Sequence, residues 1–251
     1  MADVVKLAKV AAGEATAANF LKALDGFRSA DELASIARYF KSDPGDYGEG
    51  DIFIGVRMGQ VFELAKAHID MDLTEIETLL DHQVHEARAG AVSIMAKQAQ
   101  AKKTGAERRE ALYQLYLRRH DRINNWDLVD LGAWHVVGDW LRDRPRDILY
   151  RLARSGSLWE RRTAIYATLA FMRQDTADAF ALAEILVGDR EDLIHKATGG
   201  VLRWAGRHDP AGLDAFLDRH AATMPRTMLR YAIEALPADA RVRWLGRKAA
   251  T

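Results

Sequence analysis

The 251-residue chain has no cysteine, which excludes disulfides, thiolate metal sites and a thiol nucleophile and fits a reducing compartment. Proline is scarce. The 5 present fall at segment edges: Pro44 in a loop, Pro145 at a helix start, Pro210 after a helix end, and Pro225 and Pro237 at last turns. Charge of either sign is not in excess, with 36 Lys+Arg against 36 Asp+Glu. That balance argues against a uniformly basic nucleic-acid binder but allows a local basic surface. No run approaches the ~18 apolar residues that a membrane span requires. Met1 to Ala17 is broken by Lys6, Lys9 and Glu14, so it reads as an amphipathic helix rather than a secretory core. The expectation is a soluble, cytoplasmic protein with no membrane partner.

With 49% hydrophobic residues the chain can bury a core. Nearly every segment between breakers carries apolar residues at helical period, and strand patterns are almost absent. The reading is all-α, about a dozen helices joined by loops at 42–50, 101–105, 142–145, 154–157 and 206–210. Helix openings around Arg88, Asp130, Arg162 and Gly200 resemble one another at the spacing of two-helix repeats. Stacked pairs predict a right-handed solenoid of HEAT-like repeats with a concave groove. No linker is evident, so residues 1–251 are expected to form a single domain.

The richest stretch is Asn124-Asn125-Trp126-Asp127-Leu128-Val129-Asp130. It opens a helix with Asn124 as cap candidate and Asp127 as a first-turn acid. Trp126 and Asp130 are one turn apart on one face. Capping explains Asp127 but not Asp130, a carboxylate beside the apolar stripe of Trp126, Val129, Ala133, Trp134 and Val137. Such a group needs a partner, a solvent cleft or a chemical task.

Other patterns weigh less. His82, His85 and Glu86 stand at helical spacing but make no complete metal motif, so no metal is expected. Gly48-Glu49-Gly50 lacks the Lys-Ser/Thr of a phosphate loop, and no nucleotide cofactor is expected. His135 and Asp139 read as a helix-surface hydrogen bond. The basic run Arg241, Arg243, Arg247, Lys248 around Trp244 reads as a solvated helix end. Lys196 and Arg203, two turns apart on one face, make a better phosphate footprint.

Several segments together resemble the bacterial DNA alkylation-repair glycosylases of HEAT-like repeats, the AlkD type. They are Ala37 to Lys41, Gly48 to Arg57, Arg122 to Asp130, Leu158 to Phe171 and Leu193 to Gly199. The resemblance implies a monofunctional hydrolase that removes cationic alkylpurines, such as 3-methyladenine and 7-methylguanine, from duplex DNA. It works without a base-flipping pocket or cofactor and is expected as a monomer. It places the family's aspartate at Asp130, a tryptophan at Trp126, an arginine at Arg162, a groove tyrosine at Tyr39 and a backbone-contacting arginine at Arg203. The chain departs where a second groove tryptophan is expected and Gly200 stands instead, with Trp204 one turn further on and able to lean back. That departure makes a catalytically silent DNA-structure binder one alternative, and the zero net charge with a solenoid groove that suits peptides equally well makes a HEAT-type protein-interaction scaffold another.

Overall fold

The structure is a computed structural model that describes residues 14–42 and 44–247. The helix expected over Met1 to Ala17 lies largely outside the described residues. The expectation of an all-α chain holds: among the described residues there is no strand, only an isolated parallel bridge between Ile52 and Val84. The chain divides into two compact units, Met1–Gly132 and Ala133–Thr251. The boundary falls inside an uninterrupted helical run, which explains why no linker composition marks it.

The first unit contains α1 (Ala17–Asp25), α2 (Ala30–Phe40), α3 (Met58–Ala67), α4 (Leu73–Leu80), α5 (His85–Gln100), α6 (Ala106–Arg118) and α7 (Trp126–Gly132). Helix α1 is capped by Thr16, which accepts from the Asn19 amide, and α2 by Ser29, which accepts from Glu32. Asp31 and Glu32 add the first-turn charge that favours a helix N-terminus. Helix α5 is the axis of the unit. Its Ala- and Gly-rich sequence leaves nearly every position buried, as expected of a helix surrounded on all sides. At Gly90 an added Cβ would lie 2.2 Å from the Phe20 ring, so glycine here permits close packing of α1.

The second unit opens with a π-helical turn, Ala133–Gly138, followed by α8 (Asp139–Leu141), α9 (Asp147–Leu152), α10 (Leu158–Ala167), α11 (Ala177–Leu186), α12 (Asp192–His208), α13 (Pro210–His220), α14 (Arg226–Ile233) and α15 (Ala238–Leu245). Its core gathers Leu202, Leu213, Phe216, Met228, Leu229 and Trp244. Trp244 is buried, and Arg243 and Arg247 lie over its ring.

Four boundaries differ from the sequence reading. Gly206 belongs to α12, where it lets Leu213 approach. Pro210 is the first residue of α13, with Asp209 accepting from Gly212. Pro225 and Pro237 precede α14 and α15 rather than ending helices, consistent with the fixed φ that suits a helix entry.

The repeat alignment also shifts by one residue. Arg88, fourth in α5, donates to the carbonyls of His82 and Gln83 at 3.1 and 2.9 Å. Arg161, fourth in α10, reaches back equally to Ser155 and Gly156 at 3.0 and 3.1 Å. At the fourth position of α12, His195 Nε2 lies 2.7 Å from the Asp189 carbonyl. The counterpart of Arg88 is therefore Arg161. Asp130, Arg162 and Lys196 share the fifth position of α7, α10 and α12.

Candidate active-site cleft

Helix α7 starts at Trp126, so its cap is one residue later than the candidate Asn124. Asn125, fully buried, accepts from the Trp126 amide at 2.8 Å through its side chain, and its carbonyl takes Val129 at 3.2 Å. Its Nδ2 donates to Asp51 Oδ2 at 2.8 Å. Asn125 thus does the capping assigned to Asn124, and Asp127 keeps its first-turn place.

Asp127 also faces His85. The imidazole is fully buried, with Nε2 2.8 Å from Asp127 Oδ2 and Nδ1 3.2 Å from Asp51 Oδ2. Burial alone would push the imidazole towards neutrality, but the charge and hydrogen bond of Asp127, then those of Asp51, raise its pKa to about 9. It is an imidazolium held by two carboxylates. Asp51 also pairs with Arg88. Burial opposes its ionisation, yet its partners, His85 foremost, hold its carboxyl below the usual range.

The segment carrying Asp51 is fastened by α5. The buried Glu86 carboxylate accepts from the amides of Ile54 and Gly55 at 3.0 Å and of Val56 at 3.2 Å. Gly55 has φ +80°, and a Cβ there would meet the Ser29 carbonyl at 2.0 Å, so only glycine fits. The Gly48 to Arg57 motif is thereby explained by backbone geometry. His85 and Glu86, considered above as metal-ligand types, are both committed to these contacts.

Aromatic rings complete the arrangement. Phe40 stacks on Trp126 with centroids 5.3 Å apart and planes 17° apart, and on its other neighbours approaches Phe53 and His85 at 5.0 Å each. Tyr39 meets Trp126 edge-on at 5.5 Å and is 67% exposed. These residues border a cleft of about 490 Å³, within the size range of small-molecule sites. Ile36, Val56, Met58, Phe62 and Leu131 form its apolar wall, and Glu32, Arg57, Asp127 and Asp130 its charged groups. Arg57 pairs with Glu32 and holds that carboxyl below the usual range. Of these carboxylates, Glu32 is paired with Arg57 and Asp127 with the buried His85 imidazolium.

Of the residues expected at the site, Tyr39, Trp126 and Asp130 come together in this cleft. The other four lie in the second unit. Arg162 is buried, donating to the Leu193 carbonyl at 2.8 Å and the Tyr166 hydroxyl at 3.2 Å. Lys196 pairs with Asp192 at 2.7 Å, and Arg203 with Glu234. Trp204 is 43% exposed, with Arg207 4.6 Å from its ring centroid. A Cβ added at Gly200 would meet nothing within 4 Å, the Trp204 ring included.

No curated protein matches this sequence. Among solved structures, a predicted DNA alkylation repair enzyme from Enterococcus faecalis is similar, with a TM-score of 0.65 and 16% identity over 84% of this chain and 97% of that one. At that identity the likeness speaks for the fold. A sequence profile of the DNA alkylation repair enzymes matches residues 20–236, most of the chain, and on that match the protein belongs to the DNA alkylation repair enzyme family.

Proposed function

We propose that this protein is a monofunctional DNA glycosylase that hydrolyses the N-glycosidic bond of cationic N-alkylated purines in duplex DNA. The observation that supports it most is the gathering of Tyr39, Trp126 and Asp130 around one acidic, aromatic cleft. An N-alkylated purine is already a good leaving group and needs no general acid. The sugar needs help, because it becomes oxocarbenium-like as the bond breaks. Asp130 stabilises that charge electrostatically, and the Trp126 ring adds its quadrupole. The reaction needs no cofactor, and the protein acts as a monomer.

Tyr39, Lys196, Arg203 and Trp204 serve DNA binding through phosphates and sugars rather than base edges. Arg162 joins them from a buried position, where binding a phosphate competes with its hold on Leu193 and Tyr166. The test is release of free base from a duplex carrying 7-methylguanine, at low salt where phosphate contacts are strongest. Release supports the reading; its absence in a preparation that still shifts the duplex sinks it. That second outcome fits a silent DNA-structure binder, a reading favoured by the empty space at Gly200.

A further inference from the structure

We propose that Arg57 is a phosphate-binding residue of the cleft, and that Glu32 holds its guanidinium in the free protein as the competing anion that a DNA strand displaces. This assignment rests on the reading of the cleft as a DNA site and adds a phosphate contact to it. The cations given a role in DNA binding above, Arg162, Lys196 and Arg203, all belong to the second unit. The cleft is lined by three carboxylates, Glu32, Asp127 and Asp130, and among the described residues by Arg57 as its one cation. A polyanion meets such a surface unfavourably unless that cation is turned towards it.

Two features let the guanidinium change partner. Its pair with Glu32 lies in solvent, the Arg57 and Glu32 side chains being 69% and 31% exposed, and a pair so placed is weak and screened by salt. Glu32 also stands on the least embedded helix of the unit, since Phe40 is the one buried residue of α2. The root of Arg57 is fixed, by contrast. It follows Val56, whose amide Glu86 binds at 3.2 Å, and its own amide donates to the Gln60 side chain at 3.3 Å as the chain enters α3. A long side chain on a fixed backbone presents its charge without moving the cleft wall.

The exchange is between like acceptors. A guanidinium offers its N–H groups in a planar fork that fits a carboxylate and a phosphodiester alike. In the free protein Arg57 Nη2 donates to Glu32 Oε1; with DNA bound, a phosphate oxygen takes that donor and Glu32 returns to water. Phosphates are the same in every sequence, so Arg57 positions the strand and reads no base. Glu32 thereby sets the affinity of the cleft, not its chemistry.

The test is duplex affinity across a salt series, by anisotropy, beside 7-methylguanine release and thermal melting. It compares wild type with Arg57→Gln, Arg57→Lys, Glu32→Gln and the double variant carrying Arg57→Gln and Glu32→Gln. Arg57→Gln is expected to bind about tenfold more weakly at low salt and to lower the slope of log affinity against log salt by about 0.9. Arg57→Lys, which keeps the charge but not the fork, should retain the slope and lose about two- to threefold in affinity. Glu32→Gln should bind about threefold more tightly, and that gain should vanish in the double variant. A pair that merely fastens α2 would instead weaken binding when either partner is lost. Glu32→Gln binding no tighter than wild type, a gain that survives without Arg57, or a wild-type salt slope in Arg57→Gln overturns the assignment and leaves base release to judge the glycosylase reading. Duplex binding without base release sinks that reading while the affinity pattern still decides the role of Arg57, and wild type that binds no duplex overturns both.

Discussion

His85 Nε2 and Asp127 Oδ2 lie 2.8 Å apart at a point where the imidazole has no solvent exposure, and Asp51 closes the other ring nitrogen at 3.2 Å. One cation thereby joins the first turn of α5 to the first turn of α7 and to the segment before α3. Phe40 and Phe53 cover its faces, and Arg88 is the other charged group on Asp51.

Stability should therefore depend on pH on the alkaline side. The pKa of His85 is raised from 6.5 to about 9 on folding, so its contribution is fully present below pH 6.5 and is lost as pH rises through about 9. Urea midpoints measured from neutral to strongly alkaline pH should fall through this window, and His85→Gln should flatten the fall. A wild-type midpoint that holds steady across it contradicts the imidazolium.

Asp130→Asn should slow release of 7-methylguanine by about 10²–10³-fold, the usual consequence of removing one preorganised electrostatic partner. Duplex affinity should change little. Single-turnover rates beside anisotropy titrations check both, and a wild-type rate in the variant excludes the role given to Asp130.

Two adjacent glycines of α12 should respond oppositely. At Gly199 a Cβ would lie 2.5 Å from the Met228 carbonyl of α14, so Gly199→Ala should cost about 1–3 kcal/mol by overpacking. At Gly200 a Cβ meets nothing, and Gly200→Ala should stabilise by about 0.5–1 kcal/mol through helix propensity. Gly200→Trp should fold, and faster base release by it would mark the missing ring as limiting. Thermal melting of each variant checks the stability pair.

Removing the Glu86 carboxylate should be severe. Glu86→Ala leaves the amides of Ile54, Gly55 and Val56 buried without acceptors, at about 1–3 kcal/mol for each unmet group. Chemical denaturation should show a loss of several kcal/mol, whereas a loss below about 1 kcal/mol would mean that water replaces the carboxylate.

Helical periodicity made the all-α architecture legible, because local spacing alone sets which face is apolar. Trp126, Asp130 and Tyr39 were singled out through the resemblance to the family, and they line one cleft. The His85, Asp51 and Asp127 network was not. Asp51 and Asp127 are 34 and 42 residues from His85; Asp127 had a sufficient local explanation as a first-turn acid and His85 as part of an incomplete metal motif, while nothing local singled out Asp51. Arg162 was placed at the site by the resemblance, but α10 turns it inward and gives the reach-back contacts to Arg161. The signal available in sequence was the His85-Glu86-x-Arg88 opening, whose polar residues precede an Ala-rich helix too apolar to face water.

The first turn of α5 holds the segment that carries Asp51 and Gly55 through His85, Glu86 and Arg88, with Asn125 and the Ser29 amide adding one bond each. Those contacts close about thirty residues of chain, a span whose ends gain nothing from meeting until the helix that receives them exists. The cleft is therefore expected to assemble after α5 has formed. Its amides should share one opening event: hydrogen exchange at Ile54, Gly55 and Val56 should track that of α5, while residues 44–50 exchange independently.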